Sequence, residues 1–258
     1  MLSSILISNY NKDKYIQKCI ESCLSQTYSN FEIIVGDNES NDNSLKILEN
    51  YNLKNIHIIK KKFESPALNQ LDVISEIFKK SKGEIIFLLD SDDYFEKEKL
   101  RKITNIFKEH KLKNIICDIP KIINFDNSSK KFKYNLNFNF KKRWPTIFPT
   151  SSIALRRNAL EDFFKFSLNN KYPDLEIDFR LVSYFYNIRR ELFIEKDNFT
   201  NYVQAHDSIT SKYKKYTSQW WKKRLQAFNF LKEILNLHKI NHFKSIDYLV
   251  TKIVNKYI

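Results

Sequence analysis

Through the first 120 residues, short apolar runs alternate with segments whose apolar side chains recur at helical spacing. Residues 2–7, 31–35, 56–59, 85–89 and 114–117 are dominated by Ile, Leu, Val and Phe over only a few positions, as in strands buried on both faces. Between them, Tyr15, Cys19, Cys23 and Leu24 fall on one helical face, and Leu100, Ile103, Ile106 and Phe107 fall on another. A third helix opens at Ser44, Leu45 and Leu48, after the polar cluster 38–43. Repeated strand-helix-strand order predicts an α/β fold with a mostly parallel sheet and helices on both faces.

The rhythm breaks over 125–149, where Lys130, Lys131, Lys133, Lys141, Lys142 and Arg143 interleave with Tyr134, Phe138, Phe140 and Trp144. A long loop or irregular β segment is expected there. Helical patterning returns over 158–166 and 175–188, followed by a strand around 192–194. Beyond residue 205 the character changes again, with 11 basic and 3 acidic side chains in 206–258. One apolar stripe runs through Trp221, Leu225, Phe228, Leu231 and Leu235, a second through Phe243, Ile246, Leu249, Ile253 and Val254. These positions predict a main domain over 1–205 and a basic, amphipathic helical extension over 206–258, packed as a helical pair on the domain.

Composition sharpens this picture in two respects. A hydrophobic content of 42% with 15% aromatics excludes a disordered chain. The formal charge of +14 favours partners carrying negative charge, whether nucleic acid, anionic lipid or phosphorylated small molecules. Cys19, Cys23 and Cys117 form no CxxC pair, which argues against a zinc site or a disulfide framework and suits a reducing cytoplasm. The first residues lack a basic leader and reach the polar Ser8, Asn9, Tyr10 and Asn11 too soon for a signal peptide. No apolar run approaches the roughly 18 residues of a membrane span, so a cytoplasmic location is expected.

Candidate chemistry concentrates at strand ends. The apolar run 85–89 stops at Asp90-Ser91-Asp92-Asp93, three carboxylates within four residues. Open parallel sheets bind ligands at the carboxyl ends of their strands, and clustered carboxylates there suit a hard divalent cation such as Mg or Mn. A helix cap would need only one of the three. The run 31–35 likewise delivers Gly36-Asp37-Asn38-Glu39-Ser40, where a single acid can accept hydrogen bonds from a base or ribose.

Taken together, these residues resemble the inverting family-2 glycosyltransferases of the GT-A fold over most of residues 3–210. The resemblance is carried by Ile7-Ser8-Asn9-Tyr10-Asn11 with Tyr15, by Gln26-Thr27-Tyr28-Ser29-Asn30-Phe31, by the turn from Asp37 to Asp42, by Gly83-Glu84, and by the Asp90-Ser91-Asp92-Asp93 cluster, in the family's order. It implies a Rossmann-like nucleotide-diphospho-sugar transferase. Asp37 and the backbone of Ser8, Asn9, Tyr10 and Asn11 would hold the nucleobase, usually uracil. Asp90 and Ser91 would lie near the ribose or sugar, and Asp92 would bind the metal. The family's general base, an acid at the start of a late helix, matches Asp178 best, with Asp174 and Glu176 as alternatives. His206 would reach the diphosphate or the metal.

Two departures stand out. Gly36-Asp37 replaces a common pair of acids, and Leu68-Asn69 replaces a donor-contacting Arg-Asn, leaving Asn69 as the remaining contact. The expected partners are a UDP-sugar donor and a saccharide or lipid-linked acceptor, with peripheral contact to an anionic membrane through the basic tail and no nucleic acid. Nucleic-acid binding would leave the carboxylate cluster unexplained. A nucleotidyltransferase would carry a Gly-rich phosphate loop that is missing here. An inactive scaffold is the remaining rival.

Overall fold

A computed structural model describes all residues except 52, 54, 125, 135–143, 168–170, 205–212 and 241–244. In chain order the first half contains β1 (Ser3–Asn9), α1 (Ile16–Leu24), β2 (Phe31–Asp37), α2 (Ser44–Glu49), β3 (Ile56–Ile58), α3 (Pro66–Lys80), β4 (Ile85–Asp90), β5 (Tyr94–Phe95), α4 (Lys99–Glu109) and β6 (Ile115–Asp118). Then come β7 (Lys121–Ile123), β8 (Ser129–Lys131), β9 (Ile153–Arg156), α5 (Arg157–Ser167), α6 (Ile177–Tyr184), β10 (Phe193–Glu195), β11 (Thr200–Val203), α7 (Ser218–Leu237) and α8 (Ile246–Tyr257).

Seven strands form the main sheet in the order β10-β6-β9-β4-β1-β2-β3. All pairs are parallel except those of β9, which runs antiparallel between β4 and β6. Because side chains alternate along a strand, β1 sends Leu6 to one face and Ile5 and Ile7 to the other, all fully buried. Leu6, Ile34, Ile86 and Leu88 pack under α3, α5 and α6. Ile5, Ile7, Val35, Phe87 and Leu89 pack under α1 and α4. This two-sided burial is why the central strands read as unbroken apolar runs. A second sheet, β5-β11-β7-β8, crosses the carboxyl end of the first.

Local sequence explains the helix that bears on the site. At the start of α3, Ser65 Oγ accepts from the Leu68 amide at 3.1 Å and Pro66 occupies the first turn, where no amide is needed. Its buried face, including Leu71, Ile74, Ile77 and Phe78, lies on β1 and β2. In α1, Cys19 and Cys23 are buried as expected, but Leu24 is 50% exposed because it turns off the stripe at the helix end.

The expectation for the tail holds for α7 and fails for α8. Phe228, Leu231 and Leu235 are buried against Leu175 and Phe179. By contrast α8 meets α7 through polar groups: Asn255 Nδ2 donates to the Trp221 carbonyl at 2.9 Å, and Arg224 Nε donates to Thr251 Oγ1 at 3.2 Å. Its stripe of Ile246, Leu249 and Ile253 therefore faces solvent. Phe243 lies outside the described residues. None of the described helices is long and apolar enough to cross a membrane.

Candidate active site

Strand register brings the predicted residues to one edge. Along β1, Ser8 pairs with Gly36 of β2 and with Asp90 of β4, and Asn9 pairs with Asp37. The loop after β1, the turn after β2 and the acidic turn after β4 thus share the carboxyl end of three adjacent parallel strands, the crevice where such sheets bind ligands.

Within the turn after β4 the three acids have separate environments. Asp93 is 1% exposed; its oxygens accept from Ser151 Oγ at 2.6 Å and from the Val203 amide at 2.8 Å. Burial, then the charges of Asp92 and Asp90, push its carboxyl well above the ordinary range. It pins the turn to β11. Asp90 is partly buried and accepts from Gln70 Nε2 at 2.7 Å, while its amide donates to Ser151 Oγ at 3.0 Å. Burial and the neighbouring Asp92 raise its carboxyl to about 7, against the opposing pull of Gln70, Thr150 and Lys12. Asp92 stands 3.2 Å from the Lys12 ammonium. Ser91 is buried, its amide donating to the Ser8 carbonyl at 3.2 Å. Neither Asp92 nor Asp93 caps α4, whose N-terminal flanking residue is Glu98.

Beneath this turn a fully buried lysine supports Ser151. Lys99 Nζ lies 2.8 Å from Asp118 and donates to the Ser151 carbonyl and Thr200 Oγ1, each at 2.5 Å. Burial lowers the Lys99 pKa, while Asp118 favours its charge. Removing one partner of such a pair leaves an uncompensated buried charge.

Around Asp37 the arrangement is equally tight. The side chain is fully buried; Asn9 Nδ2 donates to Oδ2 at 2.6 Å, and Ser40 donates through its amide to Oδ1 at 2.8 Å and through Oγ to Oδ2 at 2.7 Å. Asn11 and Glu39 both hold positive φ, 50° and 56°, a left-handed conformation that costs a residue with a Cβ about 1–2 kcal/mol. Hydrogen bonds fix both: the Asn11 amide donates to Ser40 Oγ at 2.9 Å, and Glu39 accepts from the Lys61 amide at 2.8 Å. Tyr10 is 43% exposed, with the Lys61 ammonium 3.7 Å from its ring centre. Position 36 explains the missing second acid. A Cβ there would lie 2.5 Å from Val73 and 2.8 Å from Ile77, because α3 packs directly on β2.

Two adjacent polar residues of α3 have different partners. Asn69 is 7% exposed and spends its amide on the loop before the helix, accepting from the Lys62 and Phe63 amides and donating to the Phe63 carbonyl. Gln70, one position on, is the α3 side chain that touches Asp90. Lys12, the other residue the sequence reading missed, follows the motif whose backbone alone was considered. Nothing in local spacing marks either one.

Across the crevice, α6 presents its acids unequally. Arg180 is fully buried and donates to the carbonyls of Lys171, Tyr172 and Leu175, holding the entry to the helix. Burial lowers its pKa to about 10. Asp174 is taken up by the tail, accepting from Tyr213 Oη at 2.7 Å and Gln226 Nε2 at 2.6 Å. Glu176 is ion-paired with Lys223. That leaves Asp178, partly buried in the first turn of α6, accepting only the Phe179 amide at 2.5 Å among the bonds described. Burial, then Glu176, raise its carboxyl to about 8; Lys223 opposes this and Asp90 adds to it. His206 lies outside the described residues.

The donor set can be judged for a metal. Among the described residues no three His, Cys, Asp or Glu side chains gather into a closed metal site. Asp90 and Asp92 offer two carboxylates and only oxygen, which fits a hard divalent cation that keeps positions for phosphate oxygens.

A mostly parallel sheet with its acids gathered at the ends of β2 and β4 defines an α/β protein of the nucleotide-sugar transferase type. The model of the "Glycosyl transferase family 2" family matches residues 4–166, and the chain belongs to that family. It is 29% identical over 174 residues to an uncharacterized glycosyltransferase of Nostoc sp., covering 64% of this chain and 53% of that one. A poly(ribitol-phosphate) beta-glucosyltransferase of Bacillus spizizenii is 38% identical over 116 residues, 43% of this chain and 18% of that one. The chain thus spans about half or less of the length of these relatives. In fold it is similar to S. aureus TarS residues 1–349 in complex with UDP-GlcNAc, with TM-score 0.66, 18% identity, and coverage of 99% of this chain and 70% of that one. It is also similar to the mannosyltransferase PcManGT of Pyrobaculum calidifontis in complex with GDP-Man and Mn2+, with TM-score 0.57, 14% identity, and coverage of 98% and 68%.

Proposed function

We propose that this chain transfers a sugar from a UDP-sugar to an acceptor hydroxyl with inversion, in the synthesis of a surface polysaccharide, lipooligosaccharide or glycolipid. The observation that carries the reading is the gathering of Asp37, Asp90 and Asp92 at the adjacent carboxyl ends of β2 and β4 in a chain of this family, with Asp178 as the candidate base. A direct displacement needs an acid-stabilised leaving group on one side of the anomeric carbon and a base on the other.

The donor half is built from the strand ends. Asp37 holds the turn that, with Ser8, Asn9, Tyr10 and Asn11, forms the nucleobase pocket. Asp90, oriented by Gln70, and Ser91 line the ribose and sugar. Lys12 sets a positive charge beside Asp92, where the donor's diphosphate enters. Asp90 and Asp92 would hold Mn or Mg there, supplying Lewis-acid stabilisation of the charge on the departing nucleotide. That PcManGT was obtained with GDP-Man and Mn2+ supports this assignment. His206 remains a candidate contact to the same phosphates.

On the acceptor side, Asp178 takes the proton of the attacking hydroxyl. Asp174 and Glu176 are already bound by Tyr213, Gln226 and Lys223, so Asp178 is favoured over both. A carboxyl raised to about 8 is a stronger base than an ordinary carboxylate, and the ideal catalytic pKa lies near the working pH. The exposed stripe of α8, flanked by Lys252 and Lys256, supports peripheral contact with an anionic bilayer.

The reading is tested by calorimetric titration of UDP, with GDP and CMP as controls, with and without Mn, on the wild type and Asp92→Ala. UDP-selective binding that needs both Mn and Asp92 is expected. No nucleotide binding under any condition overturns the reading and leaves a scaffold or polyanion binder.

A further inference from the structure

The tail does more than cover the domain. Between α6 and α7 lies a cleft of about 220 Å³ walled by Trp144, Phe179, Tyr213, Trp220, Lys223 and Arg224. Two of the chain's three tryptophans line it, and the third, Trp221, packs edge-on against Trp220 at 4.7 Å between ring centres. These rings are not core: Trp144 is 37% exposed, and Tyr213 and Trp220 are partly exposed. Clustered, partly exposed Tyr and Trp side chains are enriched at binding surfaces.

The cleft adjoins the proposed base. Phe179, the next residue after Asp178, is one of its walls, and the tail residues Tyr213 and Lys223 that line it are those bound to Asp174 and Glu176. Its rings are also held in place. The Arg224 guanidinium lies 5.3 Å from the Trp144 ring centre and 5.2 Å from that of Trp220, while Asp247 at 3.0 Å and Thr251 anchor Arg224 from α8. A pre-ordered wall binds without a large ordering cost.

Charge chemistry narrows the ligand. Both cations of the cleft already have acidic partners, Lys223 in Glu176 and Arg224 in Asp247, so this is not a site built for a bare anion. Partly exposed aromatic rings flanked by Lys, Glu and phenolic groups suit a ring with apolar C–H faces and hydroxyls at its rim. We propose that this cleft is the acceptor subsite, seating one saccharide ring on Trp220 and Trp144 with a hydroxyl turned to Asp178. The proposal rests on the transferase reading above. It gives residues 213–227, beyond the stretch 4–166 that the family model matches, a share with Trp144 in the choice of acceptor.

Intrinsic tryptophan fluorescence reads this cleft directly. Titration of the wild type, saturated with UDP and Mn, with glucose, N-acetylglucosamine and rhamnose is expected to give a saturable change with at least one sugar. Inorganic phosphate alone is expected to give none. Trp220→Ala should weaken the sugar response and raise the acceptor KM about three- to tenfold, Trp220→Tyr should restore most of it, and UDP affinity in each variant reports that the fold is intact. A response to phosphate but to no sugar, or a sugar response and acceptor KM indifferent to Trp220→Ala, would overturn the subsite. If sugars bind at the tryptophans but UDP-dependent turnover is absent in the wild type, the transferase reading fails and the saccharide site stands. If turnover proceeds with an acceptor KM indifferent to residue 220, the reverse holds.

Discussion

The two acidic segments of this protein, 90–93 after β4 and 174–178 before and within α6, look alike as strings of carboxylates and are built in opposite ways. The first is held by groups from three elements: Ser151 from the turn before β9 and Val203 of β11 engage Asp93, Ser151 also takes the Asp90 amide, and the buried Lys99 at the start of α4 supports Ser151. The second lies against the tail. There the tail, through Tyr213, Gln226 and Lys223, takes up Asp174 and Glu176 and leaves Asp178. In both, the partners differ from acid to acid: Asp93, Asp174 and Glu176 are tied to structural groups, while Asp90 meets Gln70 and Asp92 meets Lys12. Counting carboxylates is therefore less informative than asking which group holds each one.

The widest separation between the segments should come from removing one acid of each. Asp178→Asn is expected to lower transfer about 10²–10⁴-fold with Mn-dependent UDP binding retained, whereas Asp92→Ala should abolish that binding; single-turnover rates and calorimetry read the two. Equal transfer by Asp178→Asn would sink the base assignment. Next in size is the support under the first segment. Ser151→Ala strips a partner from both the Asp93 carboxylate and the Asp90 amide, and is expected to cost about 1–3 kcal/mol in urea unfolding. Gln226→Ala, which touches only the second segment, should cost less.

Titration sharpens the contrast further. A base raised to about 8 makes kcat/KM climb with pH through that region. Its sign on stability is opposite. The folded state holds a proton on Asp178 that the unfolded chain, with a carboxyl near 3.8, has released, so stability falls as pH rises from about 4 to about 8. Asp178→Asn should lose that slope, gaining in melting temperature relative to the wild type above pH 8 and showing no gain from this source below about 4. The smallest effect expected is that of Lys223→Met, which removes a charge favouring the ionised base and should move the rise in kcat/KM to higher pH without moving UDP affinity.

Much of the domain was readable beforehand, because its information is local. Apolar runs marked β1, β2, β4 and β6, and the order of acids at their ends named the crevice. What escaped depends on distant neighbours. Residues 153–156 are too short and plain to announce a strand, yet β9 fits between β4 and β6 because two edges there need pairing. Gln70 and Asn69 sit side by side on α3, and only the pitch of the helix over β2 decides which touches Asp90. The stripe on α8 was legible, but not the polar seam of Arg224, Asp247, Thr251 and Asn255 that turns it outward.

Gly36 has a consequence for how this donor pocket can change over time. An acid introduced there meets Val73 and Ile77 before it meets any nucleotide, and overfilling a packed interface typically costs about 1–3 kcal/mol. The order of mutations is thereby constrained: α3 must first lose bulk at 73 or 77, at some expense of stability, before a second carboxylate at 36 can bring any benefit. The pocket is separated from its two-acid counterparts by a valley on the α3 side, and a lineage crossing it has to change the helix before the strand.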